Sequence, residues 1–284
     1  MQVNFIGEET VIGKEYDGTD ITIKDYHEAL MEMLEDVLNV LEQQHITYFI
    51  DGGTLLGAIR HQDIIPWDDD IDICFMLQDY DKIMNVFEAM LDQNKYIAQS
   101  FEKDAYYDVT QPMIKVRKKN TYVEYDKGYF RNNTTENGIF IDFIAISKVP
   151  EEKFVNFWYR KTALLRTVAL LVFNRMGLRT KWLKKRHMEQ ANKFARADEN
   201  SGNYGYALSF VAWQNCIWKE NDLFPLKKMP YHRFMINVPQ NYDKYLKSLY
   251  GDYMQYPNLA CIDLLHSKNL KLKSGYVKGE KHGN

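Results

Sequence analysis

Cysteine is scarce in this chain. Cys74, Cys216 and Cys261 are the three present, an odd number without metal-ligand spacing. That argues against a disulfide framework or a zinc cluster, and for buried thiols in a reducing compartment. A long apolar run is also missing: no stretch reaches the roughly 18 residues expected of a membrane-spanning helix. Nor does one sign of charge dominate, since 36 Lys/Arg stand against 39 Asp/Glu for a net charge of −3. A general affinity for nucleic acid is therefore not expected. The start, Met1-Gln2-Val3-Asn4-Phe5, lacks the basic and apolar regions of a signal peptide, so a cytoplasmic location is expected. There is no internal repeat and no low-complexity linker.

What is present is a large potential core, with 45% hydrophobic and 14% aromatic residues in 284, enough for one or two domains. Against that background one segment stands out. Asp68-Asp69-Asp70-Ile71-Asp72-Ile73-Cys74-Phe75 packs four carboxylates into five residues and then runs into apolar, β-favouring residues. A solvated acidic tail does not continue that way. In a strand, Asp70 and Asp72 point to the same face, with Cα atoms about 6.6 Å apart. Carboxylates so placed repel unless a cation compensates, and Mg²⁺ takes carboxylate oxygens together with substrate phosphates. A calcium loop counted from Asp68 fails, because Ile73 stands where glycine is needed and Asp79 where glutamate is needed.

About 20 residues upstream lies a second signal. Tyr48-Phe49-Ile50-Asp51-Gly52-Gly53-Thr54-Leu55-Leu56-Gly57-Ala58-Ile59-Arg60-His61 reads as a strand, a tight glycine turn and a helix start. Thr54 is placed to bond backbone N–H groups there, and N–H groups exposed at a helix start favour phosphate. The pattern is that of a phosphate cradle beside metal-binding carboxylates.

The block from Gly52 to Ile73, GTLLGAIRH followed by IIPWDDDIDI, resembles the LicD family of phosphotransferases, which includes fukutin and its relatives. Lys115-Val116-Arg117-Lys118-Lys119-Asn120-Thr121 is similar to the family's basic strand and turn. Tyr245-Leu246-Lys247 through Leu249-Tyr250-Gly251-Asp252-Tyr253-Met254 is similar to its C-terminal motif. The resemblance runs over roughly residues 24 to 266, weakest from about 150 to 220. It implies the nucleotidyltransferase superfold, with a glycine signature, an Asp-x-Asp strand and a third carboxylate on a later strand. Asp142, in Gly138-Ile139-Phe140-Ile141-Asp142-Phe143-Ile144, fits the third place. The implied fold is α/β (α+β): a mixed sheet flanked by helices, with a mostly helical C-terminal portion. The implied reaction moves a phospho-alcohol, first of all phosphocholine, from a CDP-linked alcohol to a hydroxyl of a cell-surface glycan or lipid-linked glycan, releasing CMP. Transfer of ribitol or glycerol phosphate, or of NMP from an NTP, is the alternative.

Each candidate has a blander counterpart. Asp70, Asp72 and Asp142 are expected to hold Mg²⁺ (or Mn²⁺) and to serve catalysis, Asp142 also as proton acceptor; for Asp142 the counterpart is a buried carboxylate satisfied by amides. Gly52, Gly53, Thr54, Arg60, His61, Asp68, Lys115 and Arg117 are expected to bind substrate. Turn capping for Asp68 and Asp69, a salt bridge to the acidic run for Arg60, a solvated strand face for Lys115 and Arg117, and a structural role for His61 and His266 are the counterparts. Trp67, Tyr106, Tyr107, Tyr122 and Tyr125 could stack a base or cage a choline, although aromatics are mostly core.

Along the chain, Thr22-Ile23-Lys24-Asp25 fits a capping box opening a helix to about Gln44, with Tyr26, Leu30, Met33, Leu34, Val37 and Leu41 as its buried stripe. A second helix is expected over Tyr80 to Leu91, and strands over Ile97–Phe101, Gln111–Arg117, Tyr122–Asp126 and Ile139–Ala145. Residues 1–150 read as the catalytic core and 151–284 as a helical, basic region packed on it. Residues 151–190 hold ten Lys/Arg against three Glu. They read first as a core-packing helix with a solvated basic face, and alternatively as a peripheral contact with the inner face of a membrane.

Overall fold

A computed structural model describes residues 7–15, 17–100, 103–104, 113–124, 136–149, 161–162, 164–165, 168–169, 172–173, 176, 178, 181–197, 200–207, 216–256 and 271–274. Its first long element is helix α1 (Ile23–Gln43). The expected capping box is there: the Thr22 side chain accepts from the Asp25 N–H, and Asp25 accepts from the Thr22 N–H. The predicted stripe is buried, with Tyr26, Leu30, Met33, Leu34, Val37 and Leu41 at 1% exposure or less. Fully buried aliphatic side chains of this kind contribute about 1.5–3 kcal/mol each. Burial therefore commits this helix to the core.

The main sheet is mixed. Strands β3 (Tyr48–Ile50), β4 (Asp72–Met76), β8 (Phe140–Lys148), β9 (Asn203–Tyr206) and β10 (Ile217–Lys219) lie in the order β10-β9-β8-β4-β3, and β5 (Tyr96–Ser100) joins through β6 (Ile114–Lys118), which pairs with β8. β4 and β8 are parallel; the other pairings in this sheet are antiparallel. Between β3 and β4 sits α2 (Gly52–Arg60), and α3 (Tyr80–Met90) follows β4. β8 is the hub. β4 occupies one edge, while β6 and β9 share the other along successive stretches of it. Only Lys148 and Ile144 of its nine residues are less than buried, as expected for a strand covered on both faces.

A four-stranded sheet carries β1 (Val11–Lys14), β2 (Asp20–Thr22), β7 (Thr121–Glu124) and β13 (Lys271–Ser274) in the order β2-β1-β13-β7. β11 (Lys227–Tyr231) and β12 (Phe234–Val238) form a hairpin. Further helices with described bounds are α4 (Lys181–Ala197), α5 (Glu220–Leu223) and α6 (Tyr242–Tyr250), and helical residues also occur between 161 and 173.

Two expectations change. The chain beyond residue 150 is not simply helical, because β9 and β10 extend the same sheet that holds β4 and β8. Their short apolar runs, Asn203-Tyr204-Gly205-Tyr206 and Ile217-Trp218-Lys219, are too brief for periodicity to separate from loop. The acidic strand also starts later than read: β4 opens at Asp72, and Asp70 precedes it. Three successive carboxylates, Asp68, Asp69 and Asp70, lie in a loop before pairing begins at Asp72. No helix among the described residues is long and apolar enough to cross a membrane.

Candidate active site

The register of the sheet assembles the site. Asp72 on β4 pairs with Asp142 on β8, and Asp142 pairs with Lys115 on β6. One rung thus carries two carboxylates and an ammonium in adjacent strands about 4.8 Å apart, with side chains on a common face. Asp70, just before β4, closes on the same point: carboxylate oxygens of Asp70, Asp72 and Asp142 all lie within 4.8 Å of one another. Asp68, Asp69 and Asp70 form a second such group. Asp70 and Asp72 are half-buried and Asp142 is buried.

These carboxylates are held at a cost. Burial, then the neighbouring charge of Asp70, pushes the Asp72 carboxyl well above the usual carboxylate range. Asp68 is raised likewise, by burial first and then by Asp70 and Asp69. One cation partly answers them. Lys115, 2% exposed, donates to both oxygens of Asp142, at 2.7 Å to Oδ2. Its ammonium also lies 3.6 Å from the centre of the Phe140 ring. Burial lowers the Lys115 pKa, and Asp142 opposes that shift. Among the described residues, Lys115 is the ammonium bonded to this carboxylate group. That donor set suits a hard divalent cation, which takes oxygen ligands, so Asp70, Asp72 and Asp142 are the residues that would hold one.

The acidic loop is clamped from four sides. Tyr26 Oη donates to the Asp69 carbonyl at 2.8 Å, and His27 Nε2 meets the Asp68 carbonyl at 2.8 Å. The Asp142 N–H donates to the Ile71 carbonyl at 2.8 Å. The Asp72 N–H donates to Thr54 Oγ1, also at 2.8 Å. Thr54 was expected to cap the helix start; instead it pins β4 to α2, and the N-cap is Asp51.

The glycine turn has a physical reason. Gly52 has φ +53°, and a Cβ there would stand 2.9 Å from Asp72 Oδ2; at Gly53 it would stand 2.5 Å from Asp68 Oδ2. The turn is bare because the carboxylates of the acidic loop fold against it. Behind it lies Asp51, 1% exposed. Its Oδ1 accepts from the Gly52 N–H and from Tyr245 Oη, each at 2.7 Å, and its Oδ2 accepts from Tyr206 Oη at 2.7 Å and Cys74 Sγ at 3.4 Å. The sequence alone assigns no site role to Asp51, Tyr206, Tyr245, Tyr26 or His27. The one available signal was Asp directly before a helix start; the tyrosines come from distant segments and carried none. The C-terminal motif now has a place: Tyr245 holds Asp51, the Tyr250 hydroxyl would lie 3.6 Å from a Cβ on Gly52, and the Tyr253 carbonyl accepts from Arg60.

Other predicted residues sit elsewhere. Arg60 ends α2, about 12 Å along its axis from Gly52 at 1.5 Å per residue. Its guanidinium lies 4.6 Å from the Tyr256 ring centre and 6.0 Å from that of Trp67. His61 meets both rings edge-on. Arg60 Nε and His61 Nδ1 are buried without a hydrogen-bond partner among the described residues. Burial lowers the pKa of both side chains. Arg117 is turned away from solvent and binds Gln99 Oε1 at 2.7 Å and the Gly138 carbonyl at 3.0 Å. Of the aromatics considered for a base stack or choline cage, Trp67 and Tyr122 are described. Trp67 keeps company with His61 and Tyr256, while Tyr122 lies on β7 in the other sheet. Tyr106, Tyr107, Tyr125 and His266 lie outside the described residues. A cavity of about 850 Å³ opens at the far ends of β4 and β8, lined by Met76, Lys148 and Tyr204 among others, away from the carboxylate rung.

Glycine turn, Asp-x-Asp at a strand entry and a third Asp on the adjacent parallel strand coincide with residues 45–169, which match the family described as LicD/FKTN/FKRP, nucleotidyltransferase domain. The likeness to the LicD family is carried by those residues. Over 259 residues, 84% of this chain and 93% of the relative, it is 23% identical to the lipopolysaccharide cholinephosphotransferase LicD of Haemophilus influenzae. Over 51 residues, 18% of this chain, it is 51% identical to the human ribitol 5-phosphate transferase FKRP, of which that is 10%. The resemblance read from GTLLGAIRH and IIPWDDDIDI is thereby shown. The LicD match includes Asp70, Asp72, Lys115 and Asp142. The tyrosines that close on Asp51 lie beyond its end.

Proposed function

We propose that this protein is a metal-dependent phosphotransferase. It moves a phospho-alcohol from a CDP-linked donor to a hydroxyl of a cell-surface or lipid-linked glycan and releases CMP. The carrying observation is the rung of Asp72, Asp142 and Lys115 with Asp70 beside it. The activity named for the Haemophilus influenzae relative makes phosphocholine the first group to test; that named for FKRP makes ribitol phosphate the second.

Asp70, Asp72 and Asp142 would hold Mg²⁺ (or Mn²⁺), which when bound would supply polarisation of the phosphoryl group and counter-charge for the leaving group. The chain's own residues do the rest. The N–H groups opening α2 at Gly53 and Thr54 face the donor's diphosphate, where the helix dipole favours negative charge. Lys115 orients Asp142 and adds positive charge. The acceptor oxygen forms the new bond to phosphorus, the bond from phosphorus to the CMP oxygen breaks, and CMP keeps that electron pair. The Asp142 carboxylate receives the hydroxyl proton. Positioning and electrostatics carry the rate, as in other phosphoryl transfers. Asp51 fixes the turn through Gly52 without touching substrate.

The test is a panel. Purified protein is incubated with Mg²⁺ and CDP-choline, CDP-ribitol, CDP-glycerol or NTPs, with and without glycan acceptors. CMP release from one CDP-alcohol, with a matching mass gain on the acceptor, is expected. Pyrophosphate release from an NTP with no CMP from any donor would overturn the reading in favour of nucleotidyl transfer.

A further inference from the structure

Exposed apolar side chains are unevenly spread over this molecule. Among the described residues twelve large hydrophobics are exposed, and six fall between positions 165 and 182: Leu165, Val168, Val172, Met176, Leu178 and Trp182, with Leu165 at 68%, Met176 at 67% and Trp182 at 57% exposure. Scattered surface hydrophobics need no explanation; a contiguous set does. Residues 165, 168 and 172 are helical, and their spacing continued to 176 puts all four on one side of a helix. A neighbouring side, with Ala169 and Phe173, packs on the core. The segment therefore has an apolar face docked inward and a second apolar face turned to water.

The charge pattern says what covers that second face. Residues 151–190 hold ten Lys/Arg and three Glu, +7, which leaves −10 for the rest of a chain of net charge −3. Among the described residues of that stretch, Lys161, Lys181, Lys185 and Arg186 are exposed, so basic charge reaches the surface there. Lys181 adjoins Trp182, and Lys185 and Arg186 lie one turn beyond it; all three are exposed. A second copy docked through the same face would set Lys181, Lys185 and Arg186 against their own copies, since a two-fold interface repeats its own patch. An anionic bilayer offers the opposite charge and an apolar interior. Tryptophan favours the membrane interface, and among the described residues no helix is long and apolar enough to cross a membrane.

We infer that the 165–186 segment is a monotopic docking surface for an anionic lipid bilayer, with Leu165, Val172, Met176 and Trp182 entering the interface and Lys181, Lys185 and Arg186 at the headgroups. This rests on surface chemistry alone and is independent of the reaction proposed above.

Co-sedimentation with phosphatidylcholine vesicles, with and without phosphatidylglycerol, tests it. Wild type is expected to bind the phosphatidylglycerol vesicles, less so as salt rises, and to leave pure phosphatidylcholine largely free. The pair Lys185→Gln/Arg186→Gln should weaken binding roughly 30-fold, about fivefold per charge near an anionic surface. Leu165→Asp/Val172→Asp should abolish it while the circular dichroism and the thermal unfolding stay those of wild type. Wild type remaining in the supernatant with phosphatidylglycerol at low salt would overturn the inference. So would a dimer in sedimentation velocity that Leu165→Asp/Val172→Asp dissociates, which would make the occupant a second copy.

Discussion

At the scale of residues, the site holds two opposite kinds of buried charge. Asp51 is buried among donors: two tyrosine hydroxyls, a thiol and a backbone N–H all point at it. Asp68 and Asp72, half-buried, stand among other carboxylates; loss of solvent first, and then the neighbouring negative charge, shifts both upward. Fully satisfied buried carboxylates build structure; frustrated ones await a partner. Asp70→Asn and Asp72→Asn should each lower turnover by about 10²-fold or more, the scale of losing one main electrostatic stabiliser. In chelator, Asp72→Asn should melt above wild type, because it removes a repelled charge; a lower melting temperature would contradict this. Lys115→Met should cost about 3–5 kcal/mol in urea unfolding, since it strands Asp142 as a buried charge.

Elements explain how such residues meet. α2 starts at Gly52 because Asp51 caps it, and the turn stays free of side chains because Asp72 and Asp68 press against it. Gly53→Ala would drive a methyl to 2.5 Å from Asp68 Oδ2. The loop clamped by Tyr26, His27 and Thr54 has little room to yield, so a loss of about 1–3 kcal/mol is expected, with weakened Mg²⁺ binding by calorimetry. Unchanged stability and affinity would mean that the carboxylates do not depend on this turn. Tyr245→Phe should cost about 1–3 kcal/mol by leaving Asp51 short of a donor. Much at this scale was legible. The capping box, the α1 stripe, α3 and the strand of Asp142 follow from periodicity and turn chemistry within one window. Thr54 was misread because its partner, the Asp72 N–H, lies 18 residues away, and hydrogen bonding at that range leaves no local pattern.

For the whole molecule, register decides function. Asp72, Asp142 and Lys115 share a rung, and no local rule of composition announces which residues of distant strands become neighbours. The family resemblance supplied Asp142; the chain alone marked it only as a charge in an apolar strand. The contributions of β9, β10 and α6, which bring Tyr206 and Tyr245 to Asp51, were illegible for the same reason. A consequence at this scale concerns pH. Asp68 and Asp72 titrate above their ordinary range in the folded state, so in chelator they favour folding at low pH. That stability is lost as pH rises through the raised values, where the unfolded chain ionises freely. A bound cation reverses the loss. The rise in melting temperature produced by Mg²⁺ should therefore be larger at about pH 8 than at about pH 5; differential scanning fluorimetry showing an equal rise at both would contradict a cation at these carboxylates.

The most direct test of the central claim is CMP release from a CDP-alcohol by wild type and Asp72→Asn, each with Mg²⁺ and with chelator. The account predicts release by wild type with Mg²⁺ and near-baseline rates in the other three conditions, with both proteins folded. Release by Asp72→Asn at a tenth of the wild-type rate or more, or wild-type release undiminished by chelator, would contradict it.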